Sequence, residues 1–372
     1  MLLAPLLLLL AAPLVPLPAQ PADVPWPTQR WPTGQLPSSV DAGTLAKLLD
    51  AVDRTDELLG ETRAVVVVHR GRLVAERYRQ GFGRMMRLIS WSMAKSITHA
   101  LVGVAAREGK LDPDRPMGNP RWAPNDARSV IAWRMWLQMV DGQGWCEIQA
   151  RSPAENDSAK MLFGEGRLDA AKYAARLPLI HRPSEHWNCN SGAFILVNDA
   201  LARAIAPEAA TADARRSAIG AFMKRALFDR IGMAAQPEFD ASGTFLGSAL
   251  VYATAQDFAR FGLLYLRDGI WEGSRILPEG WVDFARTPAR GSDSNIYGAA
   301  FWVAPDGQPR PPYDSAILGP RDTFQAQGWE GQLIVIVPSK DLVLVRLGHT
   351  PDSGWLALSR WAANVVALFP DA

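Results

Sequence analysis

The sequence is short of the residues that metal and redox chemistry rely on. Its 372 residues hold two cysteines, Cys146 and Cys189, and neither belongs to a Cys-x-x-Cys pair. That excludes a zinc ribbon or an iron–sulfur site. Five histidines (His69, His99, His181, His186, His349) are scattered and none falls in a His-Glu-x-x-His run, so no metal ligand set is visible. No charge of one sign dominates either. Lys+Arg is 39 and Asp+Glu 38, a net charge of +1, which removes the basic face that nucleic-acid phosphates demand and any polybasic membrane segment. There is no Gly-x-Ser-x-Gly elbow, no P-loop and no Gly-x-Gly-x-x-Gly after a strand. Gly142-Gln143-Gly144 lacks the third glycine and reads as a loop.

What is present is a globular composition, 48% hydrophobic and 21% charged, enough to build a core without staples. Fourteen tryptophans favour an aromatic-lined groove, with most of them in the core. The apolar run Leu2–Leu10, continued by Ala11, Ala12, Leu14 and Val15, is broken by Pro5, Pro13, Pro16 and Pro18. It is too short and too interrupted to span a membrane, and reads as a secretory leader over residues 1–22 with cleavage near Ala19 or Ala22. The expected location is therefore periplasmic or secreted. Residues 23–42, rich in proline, read as a linker, and residues 43–372 as one domain.

Hydrophobic periodicity places elements along that domain. A helix starts with Thr44 as its cap, and a hairpin runs Ala64–Val68 and Leu73–Tyr78 over His69-Arg70-Gly71-Arg72. A helix follows from Ser92 to Glu108, stopped by Gly109. Residues 111–240 are mostly helical in pattern, including Ala170–Ala175, Ala193–Ala206 and Ala214–Phe228. Next come a helix at Asp257–Leu266, a strand at Ala299–Val303 and a hairpin Gln332–Val337/Leu342–Leu347. Strands at both ends with helices between predict an α+β fold. An antiparallel sheet is built from the N- and C-terminal segments and flanked by helices, with a mostly helical lobe, about 111–240, inserted.

The sharpest chemical signal is Ser92-Met93-Ala94-Lys95. At the first turn of a helix this spacing puts both side chains on one face. A serine hydroxyl is a poor nucleophile until a base takes its proton, and a buried lysine near a helix N-terminus can be that base. No other serine has lysine at this offset, and the apolar flanks Trp91, Met93, Ala94 and Ile97 make an unpaired Lys95 costly.

Ile89-Ser90-Trp91-Ser92-Met93-Ala94-Lys95-Ser96, with the helix end Arg107-Glu108-Gly109-Lys110-Leu111-Asp112, resembles the S-x-x-K signature of the serine β-lactamase-like superfamily. The likeness is to its class C-related branch of esterases, D-amino-acid peptidases and 6-aminohexanoate-dimer hydrolases. Further segments in order are Leu137–Gly142, Ala253–Gly262, Tyr297-Gly298 and Gly328–Gln332. The resemblance implies a β-lactamase/transpeptidase-like fold and two-step acyl transfer. Ser92 attacks an ester or amide, Lys95 assists as base, and the N–H groups of Ser92 and of the strand at Gln332, next to Gly331, form the oxyanion hole.

The sequence departs from that family at two places. Register from Trp187 and Asn190-Ser191-Gly192 puts Cys189 where the family has a tyrosine that relays protons. Three readings stay open: Cys189 is a substituted acid/base, Tyr173 or Tyr252 fills in, or turnover is impaired. A Cys146–Cys189 disulfide is a further alternative that the resemblance suggests. Where β-lactamases carry Lys-Thr-Gly, the matching triplet reads Trp329-Glu330-Gly331. Replacing that cation by an anion disfavours anionic β-lactams and fits a neutral or cationic amide or ester, flanked by Trp187 and Trp329 with Asn190 and Ser191 nearby.

The expectation is an exported serine hydrolase for a small amide or ester, without cofactor or metal and with no nucleic-acid partner. The alternatives are a weakened binding or sensor protein on the same scaffold, or a D,D-peptidase or β-lactamase.

Overall fold

Two valine-rich runs from opposite ends of the chain pair to form the centre of the sheet. In this computed structural model, which describes residues 13–292, 295–303 and 318–372, strand β1 (Glu61–His69) turns into β2 (Arg72–Tyr78). The C-terminal part supplies β3 (Trp302–Val303), β4 (Phe324–Gly328), β5 (Gln332–Val337) and β6 (Leu342–His349). The sheet order is β2-β1-β6-β5-β4-β3, with every neighbour antiparallel. Val65–Val68 are all fully buried because the sheet is covered on both faces. Val66 and Val68 pack with Met93, Ile97 and Phe258, and Val65 and Val67 with Leu45, Leu358 and Val365. A strand buried on both sides needs a continuous apolar run, not an alternating one.

Five helices frame the site and the sheet: α1 (Ala42–Leu49), α2 (Met93–Arg107), α3 (Ser191–Ile205), α4 (Ala255–Leu266) and α5 (Trp355–Ala367). The expected N-cap at Thr44 moves to Asp41, whose carboxylate accepts from the Gly43 and Thr44 N–H groups. The helix expected at Asp257 begins two residues earlier, because Thr254 and Asp257 form a reciprocal capping box. Between α2 and residue 240 the chain is helical with loops, as the patterning predicted. The stretch expected as one helix from Ala214 to Phe228 is Ala212–Met223 followed by a wider π-helical turn at Lys224–Phe228. Among strands β1–β6 and helices α1–α5, β4, with its glutamine- and glycine-containing sequence, and α5 lie where no element was expected.

Residues 1–12 of the expected leader lie outside the described residues. The rest of it, and the expected linker, are tied to the sheet-and-helix body by arginines. Arg286 donates to Val15 O (2.7 Å), Arg267 to Pro18 O (3.2 Å) and Gln20 Oε1 (2.9 Å), and Arg260 to Pro27 O (2.8 Å). Among the described residues no helix is long and apolar enough to cross a membrane.

Candidate active site

The nucleophile candidate sits at a strained corner. Trp91 adopts φ +43°, a left-handed conformation unusual for a bulky residue, and Ser90 before it is pinned by backbone pairing to Val251. The turn presents Ser92 as the N-cap of α2, yet its hydroxyl caps no helix N–H. That leaves the oxygen for Lys95, whose Nζ donates to Ser92 Oγ at 2.8 Å. The Lys95 side chain is 3% exposed.

Such an ammonium needs a partner, and the structure supplies one that sequence reasoning did not assign. Glu147, in the loop after Asp141, places Oε1 3.9 Å from Lys95 Nζ. Lys95 also donates to Ser191 Oγ (3.0 Å), and the Ser191 hydroxyl donates to Glu147 Oε1 (2.8 Å). The other carboxylate oxygen accepts from Ser191 N (2.9 Å) and Trp145 Nε1 (2.7 Å). Burial works to raise the Glu147 carboxyl. The nearby Lys95 ammonium and these donors outweigh it and hold the group below the usual carboxylate range. Gly192 makes room for this arrangement, since a Cβ there would lie 2.5 Å from the Trp145 ring.

Cys189 lies beside this network, 9% exposed. Burial first, and then the Glu147 carboxylate, push its thiol far up, so it stays protonated at neutral pH. Both cysteines are free, so the disulfide alternative is not formed. Tyr173 is committed elsewhere, donating to Asp157 Oδ1 at 2.7 Å.

The remaining expected residues divide between the site and the scaffold. Asn190 caps α3, accepting from Ala193 N (2.9 Å), and its amide turns toward Asp141 (3.3 Å). Trp187, expected to offer its surface to a substrate, is buried against Tyr297 and Trp302. The Gln332 side chain is tied to Trp329 O (3.0 Å) and Gly348 O (2.7 Å) within the sheet. Gly331 faces Leu358, Arg346 and Thr350. The strand edge nearest the nucleophile therefore ends at Gly328, where any Cβ would run into Ser90 O. Trp329 does stand at the mouth, 53% exposed. Its ring lies 5.0 Å edge-on from Trp91, which in turn meets Phe163 at 6.5 Å. Glu330 accepts from Trp91 Nε1 (3.2 Å) and faces His349 Nδ1 (3.1 Å). Among the described residues no group of three or more His, Cys, Asp or Glu could hold a metal ion.

A two-sided sheet with a helix carrying serine and lysine at its start defines the class of β-lactamase-like serine hydrolases. The chain belongs to the Beta-lactamase family, whose model matches residues 53–369. It is 26% identical over 332 residues to the 6-aminohexanoate-dimer hydrolase of Paenarthrobacter ureafaciens, covering 82% of this chain and 76% of that one. Among solved structures it resembles a candidate 6-aminohexanoate-dimer hydrolase from Bacillus anthracis (TM-score 0.68, 21% identity, 93% of this chain and 91% of that one). It also resembles EstCE1, a hydrolase with promiscuous acyltransferase activity (TM-score 0.62, 16% identity, 88% and 98%). At these identities the structural likenesses carry the fold.

Proposed function

We propose that the protein hydrolyses a small neutral or cationic amide or ester through an acyl-enzyme on Ser92. The observation that carries the reading is the 2.8 Å hydrogen bond from a nearly inaccessible Lys95 to a serine hydroxyl freed from helix capping. Ser92 Oγ attacks the carbonyl while Lys95 takes its proton. The tetrahedral oxyanion sits between the Ser92 N–H and the Trp329 N–H, the residue that follows the strand edge closest to the nucleophile, in place of Gln332. The leaving group departs with a proton from Lys95, and water then releases the acyl group by the same route.

Substrate charge follows from the mouth. It is walled by Trp91, Trp329 and Phe163 and carries the Glu330 carboxylate where a cation would be needed for an anionic β-lactam. The 6-aminohexanoate-dimer hydrolase relative supports an amide, and the EstCE1 likeness is compatible with an ester.

The test is reaction of the folded chain with a fluorophosphonate, read by intact mass and peptide mapping. A stoichiometric adduct on Ser92, lost in Ser92→Ala, is expected. A folded sample that takes no adduct would overturn the reading and leave a binding role for the scaffold.

A further inference from the structure

A lysine ammonium has three donors and no lone pair, so Lys95 cannot take a proton from Ser92 until it has lost one of its own. Its 3% exposure leaves little solvent to receive that proton. The hydrogen bonds lead instead to one acceptor, from Lys95 Nζ through Ser191 Oγ (3.0 Å) to Glu147 Oε1 (2.8 Å). The direct Lys95–Glu147 separation, 3.9 Å, is too long for a hydrogen bond, so the hydroxyl is the bridge.

We propose that Glu147, acting through the Ser191 hydroxyl, is the proton store that activates Lys95, and that this pair does the work of the tyrosine absent at Cys189. The inference rests on the reading of Ser92 as nucleophile. In the first step Lys95 Nζ passes a proton to Ser191 Oγ while Ser191 passes its own to Glu147 Oε1. Ammonium and carboxylate become amine and carboxylic acid, the hydroxyl is regenerated and net charge is unchanged. The amine then takes the Ser92 proton as the Oγ–carbonyl bond forms. It returns that proton to the leaving group as the carbonyl–leaving-group bond breaks. In deacylation the amine takes a proton from water as the hydroxide adds, and hands it to Ser92 Oγ as the acyl bond breaks. Glu147 finally returns its stored proton through Ser191.

The surroundings suit a carboxyl that alternates between forms. While Lys95 is charged, its field keeps Glu147 ionised against burial. Once that charge is gone, burial favours the neutral acid. The other titratable groups facing Glu147 are Cys189, ahead of α3, and Tyr297, beyond α4, and burial pushes both upward so that they keep their protons. Trp145 and the Ser191 N–H fix the carboxylate from its far side, so Glu147 is a positioning residue that reaches the reacting atoms through Lys95.

The test is the rate of fluorophosphonate reaction at Ser92 from pH 6 to pH 9. Fluoride needs no proton to leave, so the rate isolates activation of the nucleophile. In the wild type the proton moves internally and the rate is flat with pH. Glu147→Gln keeps an acceptor for Ser191 but cannot take a proton, so Lys95 must lose its proton to solvent. The rate should then rise with pH across this range instead of staying flat. Ser191→Ala keeps the charge pair and so covers the case where Glu147→Gln fails to fold. It should slow the wild-type rate about tenfold or more at pH 7, with Ser191→Thr restoring it. A Glu147→Gln profile parallel to wild type, or an unchanged rate in Ser191→Ala, would overturn the proposal while leaving Ser92 as nucleophile. A wild type unlabelled at Ser92 would overturn both.

Discussion

Asp141 opens the loop that delivers Glu147, and it is 1% exposed. Its carboxyl accepts from Gln143 N (2.9 Å) and from the Asn190 amide (3.3 Å), with no cation among the described residues in hydrogen-bond reach. Burial dominates these donors and pushes the group up to about 7 from 3.8. The folded state therefore prefers the protonated acid, whereas the unfolded chain ionises near pH 4. Stability from this group is complete below pH 4 and is lost as pH rises toward 7. Three units correspond to about 4 kcal/mol in all, of which about 3 kcal/mol falls between pH 5 and pH 8. Asp141→Asn keeps an acceptor oxygen and stays neutral throughout. Urea denaturation of both proteins at pH 5 and pH 8 should show the variant gaining about 3 kcal/mol on the wild type over that interval. Other groups titrate alike in the two chains and cancel. A stability difference that does not change between the two pH values would refute the burial argument.

Cys189→Ala should leave the rate of Ser92 phosphonylation unchanged at pH 7, because burial and Glu147 keep the thiol protonated; a loss of about tenfold or more would return Cys189 to the proton relay. A chain beginning at Asp23 removes Val15 O, Pro18 O and Gln20 Oε1 from Arg286 and Arg267, whose side chains are 5% and 1% exposed. Its urea midpoint should drop by the equivalent of about 2–4 kcal/mol, and an unchanged midpoint would mean the segment is not structural. Trp329→Ala should raise KM for an aryl ester about fivefold with kcat intact, since the exposed ring forms a wall of the mouth without touching the Lys95 network. A fall in kcat instead would place the ring in the chemistry.

The parts of the fold that were legible in the sequence owe it to local signals. The Val65–Val68 run and the Gln332–Val337/Leu342–Leu347 hairpin announce buried strands because both faces of the sheet are covered. Ser92 and Lys95 announce themselves because a helix turn brings that offset together. What escaped depends on contacts across the chain. Phe324–Gly328 holds two glutamines and a glycine in five residues and becomes a strand through pairing with β5 and β3. The proline-rich N-terminal segment reads as loose because Val15, Pro18 and Pro27 anchor it through backbone carbonyls, which have no side-chain signature. Glu147 lies in a loop without periodicity. The cost of an unpaired buried Lys95 was the available clue that a carboxylate had to come from somewhere, and Trp145-x-Glu147 beside Asp141-Gly142 was the place to look.

The central claim is covalent catalysis by Ser92, and trapping the acyl-enzyme tests it most directly. The protein is mixed with a slowly deacylated aryl ester, quenched in acid within the first turnover and read by intact mass with peptide mapping. The account predicts a mass increase equal to one acyl group on the peptide containing Ser92, absent from Ser92→Ala. Ester hydrolysis that proceeds with no acyl group on Ser92, or that survives undiminished in Ser92→Ala, would contradict it.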